Sequence, residues 1–403
     1  MARCGALVAE IFVEETNETH AGTSRREMLF GTIKAVVGLT LFGPAVAAKA
    51  SPRDKNRKAK VAINPAGIAP TKADLRCGTQ QGPTTPAMLD FFKRHGVTDI
   101  CGSPEDTGNK GFYSEGDLAK CRDLCRLHGI NLAMIPLPFL SSSHVDQEKR
   151  PGILLAKSPD RERDIEDACK TIEACGKVGI AAVKYNMSLL GVMRTGESPG
   201  RGGSAYSTWR ESDVPLAKRD TLTLAGRVTE AEFWERIESF VKSIMPTCES
   251  AKVRAACHPQ DPGTPPGGLY GIDNVLGTVD GLKRFVGIST SSYHGLNFCV
   301  GTVSEMLKEP GHEILDVVDW FASRGRIFNV HYRNIRGHRG DFMEVYPDEG
   351  DVDMVAVARV LKARGYRGML MPDHVPHHDD DFKGLQAFAY AQGYIKGVIQ
   401  ALA

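Results

Sequence analysis

Phe328-Asn329-Val330-His331-Tyr332-Arg333 is the stretch on which the reading of this chain turns. A short apolar run stops at a histidine, and a loop begins. Three other runs stop in the same way. They are Ala255-Ala256-Cys257-His258-Pro259, Leu296-Asn297-Phe298-Cys299 and Met369-Leu370-Met371-Pro372-Asp373-His374. Taken singly, a histidine at a strand end is more often a hydrogen-bonded structural residue than a ligand, and a cysteine there is usually core. Four such residues in strand order, each at the same end, are hard to obtain from core packing alone. In a closed parallel barrel that edge is where active sites are built, because the strand ends point at one central volume. Two imidazoles, one thiolate and one carboxylate suit manganese, iron, cobalt or zinc, and suit magnesium or calcium poorly.

Working outward, strand-like and helix-like segments alternate from about Thr71 to the end of the chain. Apolar runs at Leu75–Thr79, Val97–Cys101, Asn131–Ile135, Gly179–Tyr185, Val253–Cys257, Leu296–Val300, Ile327–His331 and Gly368–Met371 are separated by segments of helical periodicity. Thr85-Pro86 predicts a capped helix start, and Gly96 its end. Ser114 precedes Asp117, and Thr229 precedes Glu232, as capping pairs. Asp351 to Gly365 and about Phe382 to the C-terminus predict the last two helices. Eight strands alternating with eight helices predict a single (β/α)8 TIM barrel, with an open doubly wound sheet as the rival. The rival needs a glycine-rich G-x-G-x-x-G turn after the first strand, and none is present. Met187 to Val228 and Asn334 to Gly350 are too long for turns and read as lid or binding loops.

Composition narrows the function. The 403 residues carry 50 Lys and Arg against 49 Asp and Glu, so there is no basic field for nucleic acid. No apolar run reaches the roughly 18 residues of a membrane span. Ser24-Arg25-Arg26-Glu27-Met28-Leu29-Phe30, an apolar stretch from Ala35 to Val46 and a small-residue site at Ala45-Val46-Ala47 read as a twin-arginine signal over residues 1–47. Export to the periplasm is the expectation. Residues 48–70 read as a basic linker, and 71–403 as the catalytic barrel. Of the ten cysteines, Cys4 falls in the signal and Cys299 among the ligands. Cys77, Cys101 and Cys257 read as buried thiols. The run His377-His378-Asp379-Asp380-Asp381 reads as an exposed polar turn.

His374 adjoins a candidate ligand and is the candidate proton carrier, with orientation of Asp373 as its other reading. Lys184 and Tyr185 at the end of the fourth strand, with Arg194 and Arg333, are candidate substrate contacts, the cations suiting a carboxylate. The residues alone thus point to a metal-dependent barrel enzyme acting on a small polar anion. Isomerisation, epimerisation and dehydration each fit, since each removes a proton next to a group that a metal polarises.

Several stretches go further. Lys184-Tyr185-Asn186, Arg194-Thr195, His258-Pro259-Gln260-Asp261-Pro262, Phe298-Cys299-Val300-Gly301, His331-Tyr332-Arg333-Asn334, Gly350-Asp351-Val352-Asp353-Met354 and Pro372-Asp373-His374 together make the chain resemble the mannonate dehydratase family, whose fold is a xylose-isomerase-like barrel. The resemblance implies metal ligands at His258, Cys299, His331 and Asp373, manganese or iron(II) as the cofactor, and a catalytic histidine at His374. It implies loss of water from a sugar acid to give a 2-keto-3-deoxy acid. Leu75-Arg76-Cys77-Gly78-Thr79, Ser103-Pro104-Glu105-Asp106-Thr107-Gly108 and the absence of a Gly-Tyr pair near Phe382 depart from the family pattern. They keep two alternatives open: a sugar or sugar-acid isomerase or epimerase on the same site, and a non-catalytic aldonate-binding homologue. A homo-oligomer is compatible with all three.

Overall fold

The computed structural model describes residues 73–104, 110–215, 219, 221–265 and 267–403. The expected signal and linker lie outside the described residues, as do residues 105–109 of the Ser103 stretch. The strands are β1 (Asp74–Thr79), β2 (Asp99–Cys101), β3 (Asn131–Pro136), β4 (Ala182–Asn186), β5 (Gly196–Pro199), β6 (Ala205–Arg210), β7 (Arg254–His258), β8 (His294–Cys299), β9 (Ile327–His331), β10 (Asn334–His338), β11 (Asp341–Val345) and β12 (Arg367–Met371). β1, β12, β9, β8, β7, β4, β3 and β2 pair in that order as a closed parallel barrel. Each apolar run expected to be a barrel strand is one.

Among the described residues, eight helices of eight residues or more accompany the barrel: α1 (Pro86–Arg94), α2 (Glu115–Leu127), α3 (Asp160–Val178), α4 (Glu230–Ala251), α5 (Val279–Val286), α6 (Pro310–Ala322), α7 (Met354–Ala363) and α8 (Leu385–Ala401). Their starts are where cap chemistry puts them. Thr85 accepts from the Met88 amide, Ser114 and Asp117 cap each other reciprocally, and so do Thr229 and Glu232. The last two helices begin about three residues later than expected, at Met354 and Leu385. In the first case Asp353, not Asp351, is the cap.

Alternation along each strand sorts side chains into two cores. Val183, Tyr185, Ala255, Cys257, Phe298 and Leu370 face the helices. There Phe298 packs on Phe321 of α6 with ring centroids 5.8 Å apart. Ala182, Ala256, Met369 and Met371 fill the barrel interior. The ladder aligns the strand ends: Asn186 pairs with His258, Cys299 with His331, and Met371 with His331.

The two segments expected as lid or binding loops are instead strands of a second sheet. β10, β11, β6 and β5 form a four-stranded antiparallel sheet in that order. Between β10 and β11 the turn is Arg339-Gly340, with Gly340 at φ +82°, a left-handed conformation that glycine adopts without steric cost. The described cysteines from Cys77 to Cys299 are all unpaired, and Cys77, Cys101 and Cys257 are buried. No helix among the described residues is long and apolar enough to cross a membrane.

β8 opens on His294, which is fully buried and donates from Nε2 to the Phe285 carbonyl at 2.8 Å, tying the end of α5 to the barrel. Burial pushes its pKa down to about 4, against the pull of that carbonyl. The unfolded chain takes a proton on this ring near pH 6.5. The stability tied to the neutral ring is therefore complete above pH 6.5 and is lost as pH falls toward 4. Urea denaturation of wild type and His294→Gln should show the difference shifting against wild type by up to ~3 kcal/mol between pH 7 and pH 4. A pH-independent difference would remove His294 from this role.

Candidate metal centre

His258, Cys299 and His331 are the last residues of β7, β8 and β9, and Asp373 lies two residues beyond β12. Adjacent strands of a barrel deliver their ends to one axis, so four residues far apart in sequence meet. Their ligand atoms all lie within 4.8 Å of one another. His258 Nε2 is 3.2 Å from His331 Nδ1, His331 Nδ1 is 3.2 Å from Asp373 Oδ1, and Cys299 Sγ is 3.6 Å from Asp373 Oδ2. Bonds of roughly 2.0–2.3 Å to a common ion place neighbouring donors about 3–4 Å apart, so the residues fit a single divalent cation.

The donors are oriented from behind. His258 Nδ1 lies 2.7 Å from the Pro259 carbonyl, which makes it the donor and turns the lone pair of Nε2 inward. Burial holds this imidazole below its usual pKa, although Asp373 and Asp261 oppose the shift, and the neutral form is the one that ligates. The Asn297 amide lies 3.1 Å from His331 Nε2, leaving Nδ1 to face His258. The Thr302 backbone N–H donates to Cys299 Sγ at 3.3 Å. Gln80 donates to Asp373 Oδ1 at 2.9 Å and accepts from Lys184 Nζ.

Behind the donors lies a buried charge cluster. The Arg333 side chain is wholly inaccessible. It bonds Asp261 at 2.7 Å, Glu305 at 2.7 Å and Glu344 at 2.6 Å, and its Nε is 3.4 Å from Asp373. Arg194 adds contacts to Asp261 at 2.7 Å and to Glu344. A Cβ on Gly301 would stand 2.7 Å from Arg333 Nε, so only glycine leaves room for the guanidinium. Burial works to raise Asp373, but His331, His374 and Arg333 hold it well below the usual carboxylate range. Burial raises Glu305 to about 8, with Asp261 adding to the effect. Two guanidiniums face four carboxyl groups here, and a cation held by the four donors would offset the negative charge of those that stay ionised.

These placements separate the expected site residues. His258, Cys299, His331 and Asp373 come together, and His374 stands beside them with a third of its side chain exposed. Lys184 reaches the site through Gln80. Arg194 is one layer back, on the charge cluster. Tyr185 is not a substrate contact. One residue after an inward Lys184 it must point outward, and its ring packs on Phe240 of α4 at 5.2 Å. Arg333 is not one either, since its guanidinium is sealed beneath the ligands. Sequence reasoning missed Gln80, Asp261, Glu305 and Glu344. Gln80 follows the end of β1 and Asp261 stands three residues after His258, both positions that mark a barrel mouth. Glu305 and Glu344 carry no local signal.

Loss of Cys299 or His258 should empty the centre. We expect Cys299→Ser and His258→Ala to bind less than a tenth of the cobalt(II) taken up by wild type. The sulfur-to-cobalt absorption of the wild-type protein should be absent from Cys299→Ser. Equal cobalt uptake and an unchanged spectrum would place the ion elsewhere.

Comparison with known proteins bears on this geometry. A sequence model described as D-mannonate dehydratase matches residues 208–403. A mannonate dehydratase of Streptococcus pneumoniae (strain 70585) is 30% identical over 269 residues, covering 60% of this chain and 70% of the relative. One from Thermotoga maritima is 26% identical over 313 residues, covering 69% and 82%. Among solved structures, the mannonate dehydratase from Streptococcus suis serotype2 superposes with a TM-score of 0.68 at 24% identity, over 82% of this chain and 93% of that one. A xylose isomerase domain protein from Planctomyces limnophilus shares the fold with a TM-score of 0.51 at 13% identity, over 82% and 98%. With its barrel, its strand-end donors and these relatives, the chain belongs to the mannonate dehydratase family of hydro-lyases.

Proposed function

We propose that this protein dehydrates a D-mannonate-like aldonate to a 2-keto-3-deoxy acid, using one manganese or iron(II) ion held by His258, Cys299, His331 and Asp373. The observation that carries the reading is the meeting of these four donors, with His374 beside them, in a chain of this family. A mixed nitrogen, sulfur and oxygen set favours a transition metal over magnesium or calcium. When bound, the ion polarises the substrate carboxylate and its neighbouring hydroxyl, which acidifies the C2 hydrogen.

The remaining work falls to the protein. Lys184, at the barrel mouth, supplies positive charge for the substrate carboxylate. His374 moves a proton, as base toward C2 or as acid toward the departing C3 hydroxyl. Loss of the C2 proton and cleavage of the C3–O bond release water and leave an enol, which becomes the 2-keto acid. An isomerase or epimerase on this site would conserve the elements of water, so product analysis separates the readings.

His374→Asn should keep the metal and lower dehydration by a factor on the order of 10²–10⁴, the usual worth of a general acid or base. The check is a keto-deoxy-acid assay over a panel of aldonates, with metal content measured on the same samples. No keto-deoxy acid from any aldonate with metal-loaded wild type would defeat the dehydration reading.

We also propose that the chain is exported folded, through the twin-arginine stretch at Arg25-Arg26, to the periplasm. Mass spectrometry of protein from its native host should find an N-terminus just after Ala47. Intact protein starting at residue 1 or 2 would defeat it.

A further inference from the structure

We infer that Glu344, on the added antiparallel sheet, is the positioning residue of His374: it holds Nδ1 and so presents Nε2 to the space beside the metal donors. The turnover arm of its test rests on the dehydration reading; the spectroscopic arm does not.

The geometry is direct. His374 Nδ1 is 2.7 Å from Glu344 Oε1. A carboxylate only accepts, so Nδ1 is the donor. The other ring nitrogen, Nε2, is 4.0 Å from Asp373 Oδ1, on the side of the metal donors. The ring therefore turns one nitrogen to the sheet and the other to the reacting side.

Glu344 is itself immobilised. It lies on β11 in register with Ile335 of β10 and is nearly inaccessible. Arg333 and Arg194 both bond the same Oε1 that meets His374. Arg194 stacks over the ring of Phe342, two residues before Glu344 on the same face of β11. Burial works to raise the Glu344 carboxyl, but Arg333, His374 and Arg194 hold it down at about 2, so it stays an anion. A rigid anionic acceptor behind an imidazole fixes both the ring plane and which nitrogen works. Nothing on the barrel strands does this. The partner arrives only because the chain leaves β9, builds a hairpin and returns.

The test uses the full-length protein with ¹⁵N-labelled histidine, loaded with zinc so that it is diamagnetic. Wild type should show a downfield imidazole N–H resonance, slow to exchange with water, that is absent from His374→Asn and thereby assigned. It should vanish in Glu344→Ala and move upfield in Glu344→Gln, whose neutral amide accepts more weakly. The Gln variant keeps the volume and decides the matter if the Ala variant does not fold. The same resonance position in the variants, or no such resonance in wild type, overturns the inference.

Turnover adds an independent reading. Glu344→Ala should lower kcat roughly ten- to a hundredfold with KM and metal content kept. In a His374→Asn background the same change should cost less than about twofold, because residues acting as a unit are not additive. Additive losses would make Glu344 a structural residue only. If wild type forms no keto-deoxy acid while the resonance behaves as described, the dehydration reading falls and the positioning role stands.

Discussion

The guanidinium of Arg333 is the constraint on which the site depends. Moving an ion of this size out of water costs several kcal/mol even after relaxation, and it persists only with full pairing. Here the pairing comes from Asp261, Glu305, Glu344 and the candidate ligand Asp373, drawn from four separate segments. The guanidinium helps to hold Asp261, Glu344 and Asp373 below the usual carboxylate range, while burial raises Glu305. Arg333 thereby fixes the loop after β7, the end of the helical turn after β8, the strand β11 and the segment after β12 relative to one another. It does so from two residues past His331, on the same face of the extended chain, so ligand and counter-charge leave β9 together. Gly301 belongs to the same constraint, since any side chain there would displace the guanidinium.

The barrel and the antiparallel sheet divide the work. The barrel supplies the four donors, because β7, β8 and β9 are neighbours in its ladder, with Cys299 level with His331. The sheet supplies Glu344 on β11, with Arg194 just before β5, and both join the charge cluster. Long insertions at strand ends cost little extra closure entropy, which lets a barrel acquire such a sheet. The family match over residues 208–403 takes in all four donors, Arg333, Glu344 and His374. Gln80, which bonds Asp373, and Lys184, which bonds Gln80, lie before it.

Local rules decided much of this protein. Short apolar runs bounded by polar residues mark strands, and hydroxyl or acidic caps mark helix starts, because both signals act over a few residues. The eight barrel strands, the caps at Thr85, Ser114 and Thr229, and the four donors at strand ends were all legible for that reason. So was the buried state of Cys77, Cys101 and Cys257.

What only the tertiary structure decided is set by contacts distant in sequence. The segments after β4 and β9 carry no strong period of their own, and β6 becomes a strand by pairing with β11, some 130 residues later. Tyr185 and Lys184 read alike as strand-end polar residues, yet one residue of alternation sends the first to the helices and the second to the mouth. Arg333 read as a candidate substrate contact because a sequence shows charge but not the carboxylates gathered around it. Glu305 and Glu344 were silent for the same reason. A ligand at a strand end is dictated by its own strand, whereas a buried counter-ion is dictated by everything that closes over it.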